Sequence, residues 1–255
     1  MLLLIDAGNT RIKWAIAGDD AAAGDWSAHG AVAHAGIGGL ADAWRATGLP
    51  IARALLSNVA GAAVAHTIAA QLAALAESAP AAVLDAFVAT PARAGLVNGY
   101  RNPAQLGSDR FAAAIGARTL CPGQAVVVAT CGTATTVDAI DADGRFIGGM
   151  ILPGLGLMAS SLARNTAQLP QVLAQPGENA ALLAGFADNT DDAILAGCVA
   201  AQAGAIERAC AQLQAAQCLL SGGAARYVGP ALRVPHQLVD NIVLLGLHAA
   251  SLSKE

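Results

Sequence analysis

A short pattern occurs twice in this chain, and it restricts the possible folds more than any other feature. In residues 1–18, apolar residues run into a small-residue turn and then into an alternating segment. The same order returns in the second half. When Leu2 is aligned with Val126, Gly8 falls on Gly132. Two β-hairpins with glycine turns at matching places predict two similar domains.

The alignment extends to both sides of the glycines. It places Asp6 on Thr130, Asn9 on Thr133, Ile16 on Ile140 and Asp19 on Asp143. Pro122-Gly123 interrupts the chain between the repeats,. We therefore predict a first domain over 1–120 and a second domain over 121–255.

Strand-like segments alternate with alanine-rich helical segments in both halves, which predicts an α/β fold. Candidate strands include 53–59, 82–88 and 217–220. Candidate helices include a short one over 111–120 and a long one over 191–213.

Composition excludes several classes of protein. The chain has a net charge of −4 and no basic cluster, so nucleic acid is not expected as a partner,. No apolar run approaches the roughly 18 residues of a spanning helix, so no membrane association is expected. The apolar start lacks a basic region, which argues against a signal peptide. Five scattered cysteines without a CxxC pair indicate buried thiols, and we expect a cytoplasmic protein,.

The first hairpin turn carries groups that suit phosphate. Asp6 ends the first strand, Gly8 permits close approach of the backbone, and Asn9 and Thr10 offer donors,. A carboxylate beside phosphates usually serves Mg²⁺, which takes one or two carboxylates with water and phosphate oxygens. An ordinary structural hairpin with a turn Asp and Asn is the alternative.

Other routes to nucleotide binding are missing from the sequence. Neither GxxxxGK[ST] nor a GxGxxG motif after the first strand occurs,. A bound nucleotide would therefore lie between the two hairpin turns, with Ser221-Gly222-Gly223 as a flat surface for its adenosine. A second polar segment, 107–110, opens a helix, where Ser108 or Asp109 could serve simply as the N-cap,.

Together these motifs resemble type III pantothenate kinase, a family of the acetate and sugar kinase, heat-shock chaperone and actin superfamily. The resemblance covers almost the whole chain, with the motifs in the family order. It rests on Asp6-Ala7-Gly8-Asn9-Thr10, Gly107-Ser108-Asp109-Arg110, Cys131-Gly132-Thr133-Ala134-Thr135-Thr136-Val137-Asp138, Asn189-Thr190 and Ser221-Gly222-Gly223.

The resemblance implies a fold and an activity. The fold would be two ribonuclease-H-like domains with an interdomain cleft. The activity would be ATP-dependent phosphorylation of pantothenate, the first committed step towards coenzyme A. The enzyme would be a homodimer whose site is completed across subunits.

The resemblance also implies roles for individual residues. Asp109 would be the general base, and Asp6 would be directed at Mg²⁺. ATP would contact Asp6, Ala7, Gly8, Asn9, Thr10, Arg11, Ile12, Lys13, Thr133, Gly222 and Gly223. Pantothenate would contact Tyr100, Gly107, Ser108, Asp109, Arg110 and, from the partner subunit, Thr190.

One position departs from the family pattern. The second hairpin of the family usually begins with an acid two residues before its glycine, and that acid is associated with a monovalent cation. This chain has Thr130 there. We therefore expect either an altered dependence on K⁺ or NH₄⁺, or an ion held by Thr130 and backbone carbonyls.

Several alternatives stay open at this point. Tyr100 could be a packing residue, Lys13 an exposed strand charge, and Asp138 either a support for the second hairpin or a solvent-facing residue. The protein could instead be a kinase of the same superfamily with another acceptor. It could also be a nucleotide-sensing transcription accessory factor without catalysis.

Overall fold

The computed structural model describes residues 1–77, 82–166, 168–172 and 185–253. Its twelve strands are β1 (Leu2–Ala7), β2 (Arg11–Ala17), β3 (Ala28–Ala33), β4 (Arg53–Asn58), β5 (Val83–Ala86), β6 (Ala92–Arg93), β7 (Leu96–Asn98), β8 (Val126–Cys131), β9 (Ala134–Ile140), β10 (Arg145–Pro153), β11 (Gln217–Ser221) and β12 (His236–Leu238) in the described residues. The α-helices of the same residues are α1 (Leu40–Arg45), α2 (Ala62–Ala73), α3 (Ser108–Leu120), α4 (Leu155–Asn165), α5 (Thr190–Leu213), α6 (Ala225–Val228) and α7 (Ile242–Leu252). The predicted α/β class is confirmed.

The chain divides into two compact units. One unit contains Met1–Leu120 together with Asn241–Glu255, and the other contains Cys121–Asp240. The division after Leu120 coincides with the predicted boundary. The last helix, however, lies in the first unit, whereas the sequence division assigned all of 121–255 to the second domain.

The position of the last helix follows from a close contact between two glycines. Gly116 of α3 faces Gly246 of α7, and a Cβ on either residue would collide with backbone atoms of the other helix. The missing side chains let the two helices approach until their backbones touch. Buried leucines on α7, including Leu244 and Leu247, then join the apolar interior of the first unit,.

The sheet of the first unit has the strand order β3-β2-β1-β4-β5. β2 pairs antiparallel with β1 and β3, whereas β4 pairs parallel with β1 and β5. One apolar cluster joins the central strands to α1 and α2, with Trp44, Ile68 and Leu72 in it. β1 is buried along almost its whole length, which fixes the position of the residues at its carboxyl end,.

Five strands of the second unit repeat this arrangement. Their order is β10-β9-β8-β11-β12, with β8 antiparallel to β9 and parallel to β11. Each strand therefore has a counterpart in the first unit, from β1 with β8 to β5 with β12. The apolar cluster of this unit packs α5 against β8, β9 and β11.

The two hairpins differ by one residue in the turn. Three residues separate β1 from β2, whereas two separate β8 from β9. Leu2 pairs with Ala17, and Val126 pairs with Ile140. The counterpart of Ile140 is therefore Ala17, and the ungapped alignment that matched it with Ile16 was wrong beyond the turn.

Helix α5 is long and apolar enough, by length and composition, to cross a membrane, and no other helix in the described part of the chain is. Half of its most apolar stretch is buried within the protein. Core helices of globular proteins pass the same test, so this property is weak evidence for a membrane span. The five cysteines are buried and form no disulfide, as expected.

Candidate active site

Asp6 lies at the carboxyl end of the central strand β1. The pairing register places it opposite Lys13 of β2 and beside Ser57 of β4. The residue as a whole is partly buried, and the loss of solvent around its carboxyl group raises the pKa of that group to about 7,. The charge of Asp109 acts in the same direction, whereas Lys13 opposes the shift. Lys13 is therefore electrostatically coupled to Asp6.

The turn after Asp6 is closed by a hydrogen bond from Gly8 N to Arg11 O at 3.1 Å. Asn9, Thr10 and Arg11 are exposed, so their side chains are accessible to a ligand. The side chains of Ala7 and Ile12 are fully buried in the core. Those two residues can therefore offer a nucleotide only backbone groups.

The turn is also contacted by His34, a residue that the sequence analysis did not identify. His34 follows β3 directly, and its Nε2 donates to Gly8 O at 2.9 Å. The bond ties the turn to the third strand of the sheet.

Ser57 and Ser108 connect the sheet to the start of α3. Ser57 is fully buried at the end of β4, and its hydroxyl oxygen lies 2.9 Å from that of Ser108. Because α3 begins at Ser108, neither Ser108 nor Asp109 is the N-cap residue. The first helical bond runs from Phe111 N to Gly107 O at 3.0 Å.

The Asp109 carboxylate folds back over the residue before the helix. A Cβ on Gly107 would lie 2.6 Å from Asp109 Oδ1, so only glycine leaves room for this orientation. Oδ1 accepts a hydrogen bond from Arg110 N at 2.8 Å. Burial raises the pKa of Asp109, and this bond together with the Arg110 charge limits the rise,.

Replacing Gly107 with Ala displaces the Asp109 carboxylate. If Asp109 is the general base that the family resemblance implies, turnover should fall by about tenfold or more, since small misplacements of a reacting group are costly. The displaced atom is the end of a side chain, so the melting temperature should change little. Steady-state kinetics with a thermal melt tests this, and full turnover by Gly107→Ala would contradict the account.

A loop stabilised by hydrogen bonds of Asn98 brings the Tyr100 hydroxyl to the Arg110 side chain. Asn98 is buried; its Nδ2 donates to Thr90 O and Pro103 O, and its Oδ1 accepts from Tyr100 N at 3.1 Å. Arg110 is 7% exposed, and its Nη1 donates to Tyr100 OH at 2.8 Å. Tyr100 thus holds a buried cation directly after Asp109, rather than packing as a purely apolar group.

The second unit has a turn of the same kind. Gly132 N donates to Ala134 O at 3.0 Å, and Thr133 is exposed. The residue after the third strand again contacts the turn, because Gly154 N donates to Thr133 O at 2.9 Å. The contacts that hold the two turns are thus equivalent, although one uses a side chain and the other a backbone group.

The counterpart of Asp6 is Thr130, which pairs with Thr136 across the hairpin. The Thr136 Oγ1 atom is buried and has no hydrogen-bond partner among the described residues. A buried hydroxyl oxygen of this kind can serve as a ligand of a monovalent cation. Asp138 is 1% exposed, so the solvent-facing alternative for it was wrong.

Gly222 is a structural necessity. Its φ is +92°, and a Cβ there would collide with the Cys131 backbone at the end of β8. Ala224 N donates to Cys131 O at 3.0 Å, which fastens the turn to that strand. Gly223 is exposed with open space around its Cα, so this residue can accept a flat ligand.

Thr190 begins α5 on the surface. Asn189 caps the helix, with its Oδ1 accepting from Asp192 N at 3.0 Å. Thr190 lines an apolar groove of about 840 Å³ with residues of α4 and α5, among them Met158, Leu162, Ile194 and Cys198.

The described residues of the first unit thus bring Asp6, Ser57, Ser108 and Asp109 to one edge of its sheet. The second unit carries Thr130, Thr133, Gly222 and Gly223 around the end of β8. No cluster of three or more His, Cys, Asp or Glu side chains able to hold a metal ion occurs in the described part of the chain.

The type III pantothenate kinase family model matches residues 2–212. The chain belongs to this family. A type III pantothenate kinase of Herminiimonas arsenicoxydans is 52% identical over 99% of this chain and 98% of its own length. That of Janthinobacterium sp. (strain Marseille) is 54% identical with the same coverage.

Solved structures support the fold of this type III pantothenate kinase. A putative Baf family transcriptional activator from Campylobacter jejuni has a TM-score of 0.59 at 18% identity, covering 96% of this chain and 94% of its own. A putative 2-dehydro-3-deoxygalactonokinase from Sinorhizobium meliloti has a TM-score of 0.58 at 19% identity, covering 98% of each chain. At such identities the likeness concerns the fold alone, which is the mixed α/β fold with two sheets described above.

Proposed function

We propose that this chain transfers the γ-phosphoryl group of ATP to the terminal hydroxyl of pantothenate, giving 4'-phosphopantothenate as the first step towards coenzyme A. The observation that carries the proposal is the presence of two carboxyl groups with raised pKa, Asp6 and Asp109, in a chain that matches its family over almost its whole length. Phosphoryl transfer requires mainly positioning and charge neutralisation. Asp6 would hold the Mg²⁺ that neutralises phosphate charge, and Asp109 would accept the proton of the acceptor hydroxyl.

Asp6 fits a divalent cation. Its pKa of about 7 follows mainly from burial, and the charge of Lys13 opposite offsets that effect only in part. Mg²⁺ bound with ATP would supply further positive charge and neutralise the phosphate oxygens. Asn9, Thr10, Arg11 and Lys13 would contact the phosphates with side chains, whereas Ala7, Gly8 and Ile12 would contribute backbone groups.

Asp109 is the proposed general base. Its raised pKa brings it closer to the pH at which the enzyme works, which suits a group that must accept an alcohol proton,. Gly107 and Ser108 fix its orientation through the contacts described above. Arg110 and Tyr100 would bind pantothenate, whose carboxylate matches the guanidinium fork of Arg110.

We also propose ATP contacts in the second unit. Thr133 would donate to ATP from its exposed turn, and Gly222 and Gly223 would lie against the adenosine. We place the enzyme in the cytoplasm, where ATP and pantothenate are both available to it, with no nucleic acid or membrane partner.

We propose that a monovalent cation binds near Thr130. Thr130 offers K⁺ or NH₄⁺ a neutral hydroxyl instead of a carboxylate. Thr136, opposite it in the hairpin, has a buried hydroxyl without a hydrogen-bond partner among the described residues. We expect weaker cation binding than a carboxylate gives, and a Thr130→Asp variant should bind the ion more tightly. Activity titrated with K⁺, NH₄⁺ and Na⁺ tests this, and unchanged K⁺ affinity in Thr130→Asp would contradict it.

We also propose a homodimer in which Thr190 reaches the pantothenate of the partner subunit. The apolar groove beside Thr190 supports this, since such a surface is usually covered in a protein–protein contact,. Ala193 is exposed in this groove. Replacing it with glutamate should both separate the subunits and lower the activity. Sedimentation of wild type and Ala193→Glu tests the assembly; a fully active monomer would rule out a shared site.

An acceptor panel tests the function as a whole. ATP consumption is measured with pantothenate, with sugars and with acetate, and we expect turnover with pantothenate alone. Turnover of a sugar or acetate but not pantothenate would favour another kinase of the superfamily. Nucleotide binding without any turnover would favour the transcription accessory factor.

A further inference from the structure

Gln202 is a fully buried amide in the middle of the alanine-rich helix α5. Burying an amide costs free energy unless its donors and its acceptor find partners. Its Oε1 accepts from Thr135 Oγ1 at 3.0 Å, and its Nε2 donates to Pro153 O at 3.0 Å. Both ends of the amide are therefore used.

The two partners of Gln202 lie on two neighbouring strands near the second glycine turn. Thr135 is the second residue of β9, immediately after the turn. Pro153 ends β10, and the next residue, Gly154, donates to Thr133 O at 2.9 Å. A Cβ on Gly154 would collide with the carbonyl oxygens of Gly132 and Thr133, so its backbone lies flat against the turn.

The Gly154 backbone and the start of β9 thus hold the Gly132–Thr133 turn in place. Gln202 links these two segments through its hydrogen bonds to Thr135 and Pro153. Pairing of β9 with β10 also joins them, with Thr135 opposite Leu152 and Ala134 opposite Pro153. Pro153 belongs to the last residue pair of these two strands, and strand ends tend to fray. The hydrogen bond from the buried Gln202 amide to Pro153 O stabilises this end of the strand pair.

We propose that Gln202 is a positioning residue for nucleotide binding, which holds the Gly132–Thr133 turn in the geometry that accepts ATP. The proposal rests on the proposed function only in taking this turn as a nucleotide contact. Gln202 itself touches no substrate. It acts through Thr135 on one side and through Pro153 and Gly154 on the other.

The test compares Gln202→Met with Val199→Ala. Methionine keeps much of the volume of glutamine but removes the bonds to Thr135 and Pro153 and the weaker contact of Nε2 with Met158 Sδ at 3.7 Å. Val199→Ala disturbs the same helix at a buried site that makes no side-chain hydrogen bond. Thr135→Val removes the bond to Gln202 Oε1 and leaves the bond to Pro153, without changing the shape of the side chain. All three variants are first compared by thermal melting.

The readouts are the KM for ATP and for pantothenate, and the Kd of an ATP analogue measured by calorimetry. For Gln202→Met we expect nucleotide affinity to fall roughly 10- to 100-fold, as small displacements of a positioned group do. The KM for pantothenate should stay within about twofold, because Asp109 and Arg110 lie in the first unit. Thr135→Val should give a smaller loss of the same kind.

Val199→Ala should lower the melting temperature without a matching loss of nucleotide affinity. Equal losses of nucleotide affinity in Gln202→Met and Val199→Ala would show that Gln202 only stabilises the fold, and would overturn the proposal. Normal nucleotide affinity in Gln202→Met would also overturn it. If Gln202→Met does not fold, normal affinity in Thr135→Val overturns it. The calorimetric Kd decides the matter even if wild type proves inactive on pantothenate, so this proposal and the proposed function fail separately.

Discussion

Asp109→Asn should lower turnover by about 10²- to 10⁴-fold, the range that a general base contributes. Asparagine keeps the shape of the side chain and can still accept the bond from Arg110 N through its carbonyl oxygen. It cannot take the proton of the acceptor hydroxyl. ATP and pantothenate should therefore bind with nearly unchanged affinity while kcat falls.

The matched control is Asp85→Asn, which removes a carboxylate from an exposed position of β5 in the same unit. That variant should keep full turnover and show that loss of one negative charge is not the cause. Steady-state kinetics and calorimetry of both ligands measure the effect. Near-normal kcat in Asp109→Asn would remove Asp109 as the base.

Asp6→Asn should lower turnover by on the order of 10²- to 10³-fold at limiting Mg²⁺, because the variant loses an anionic ligand beside the phosphates. In wild type, protons compete with Mg²⁺ for a carboxyl group whose pKa is about 7. Raising Mg²⁺ should therefore move the acid limb of the pH–rate profile to lower pH. In Asp6→Asn this shift should disappear.

Asp6→Asn should raise the stability of the folded protein at high pH, although it lowers turnover. The folded state raises the pKa of Asp6 from 3.8 to about 7, so it binds the proton more tightly than the unfolded chain does. Asp6 consequently costs stability as pH rises between these values, and the full cost is present above pH 7. Without ligands, Asp6→Asn should melt higher than wild type at pH 8, and the difference should vanish near pH 4.

Thermal melts of both proteins across this pH range measure the sign directly. A lower melting temperature of Asp6→Asn at pH 8 would show that Lys13 compensates the buried charge fully. The combination of lost activity and gained stability is expected where a protein holds a charged group for its function.

The sequence predicted the elements whose local pattern determines them. The two hairpins, their glycines and the division after Leu120 follow from strand alternation and turn residues, which act over a few positions. The ungapped alignment failed beyond the turn because turn length depends on how two strands pair. The last helix was assigned to the wrong unit because its packing depends on Gly116 and Gly246, which are 130 residues apart.

Asp6 was proposed as a Mg²⁺ ligand from its place at the end of a strand beside a glycine turn. The role proposed for Asp109 came from the family resemblance, because its own position also suited an N-cap. Residues that act through tertiary contacts were not predictable. Ser57 had one usable signal, since it stands near the end of a predicted strand. His34 and Gln202 gave none, because a histidine after a strand and a glutamine in an alanine-rich helix are ordinary until the turns that they hold are located.

Identification of the product tests the central claim most directly. Wild type is incubated with ATP, Mg²⁺, K⁺ and pantothenate, and the products are resolved by mass spectrometry and phosphorus NMR. We predict one phosphate on the terminal hydroxyl of pantothenate for each ADP formed, and no such product from Asp109→Asn in the same time. ADP formation without phosphorylated pantothenate would contradict the proposed function.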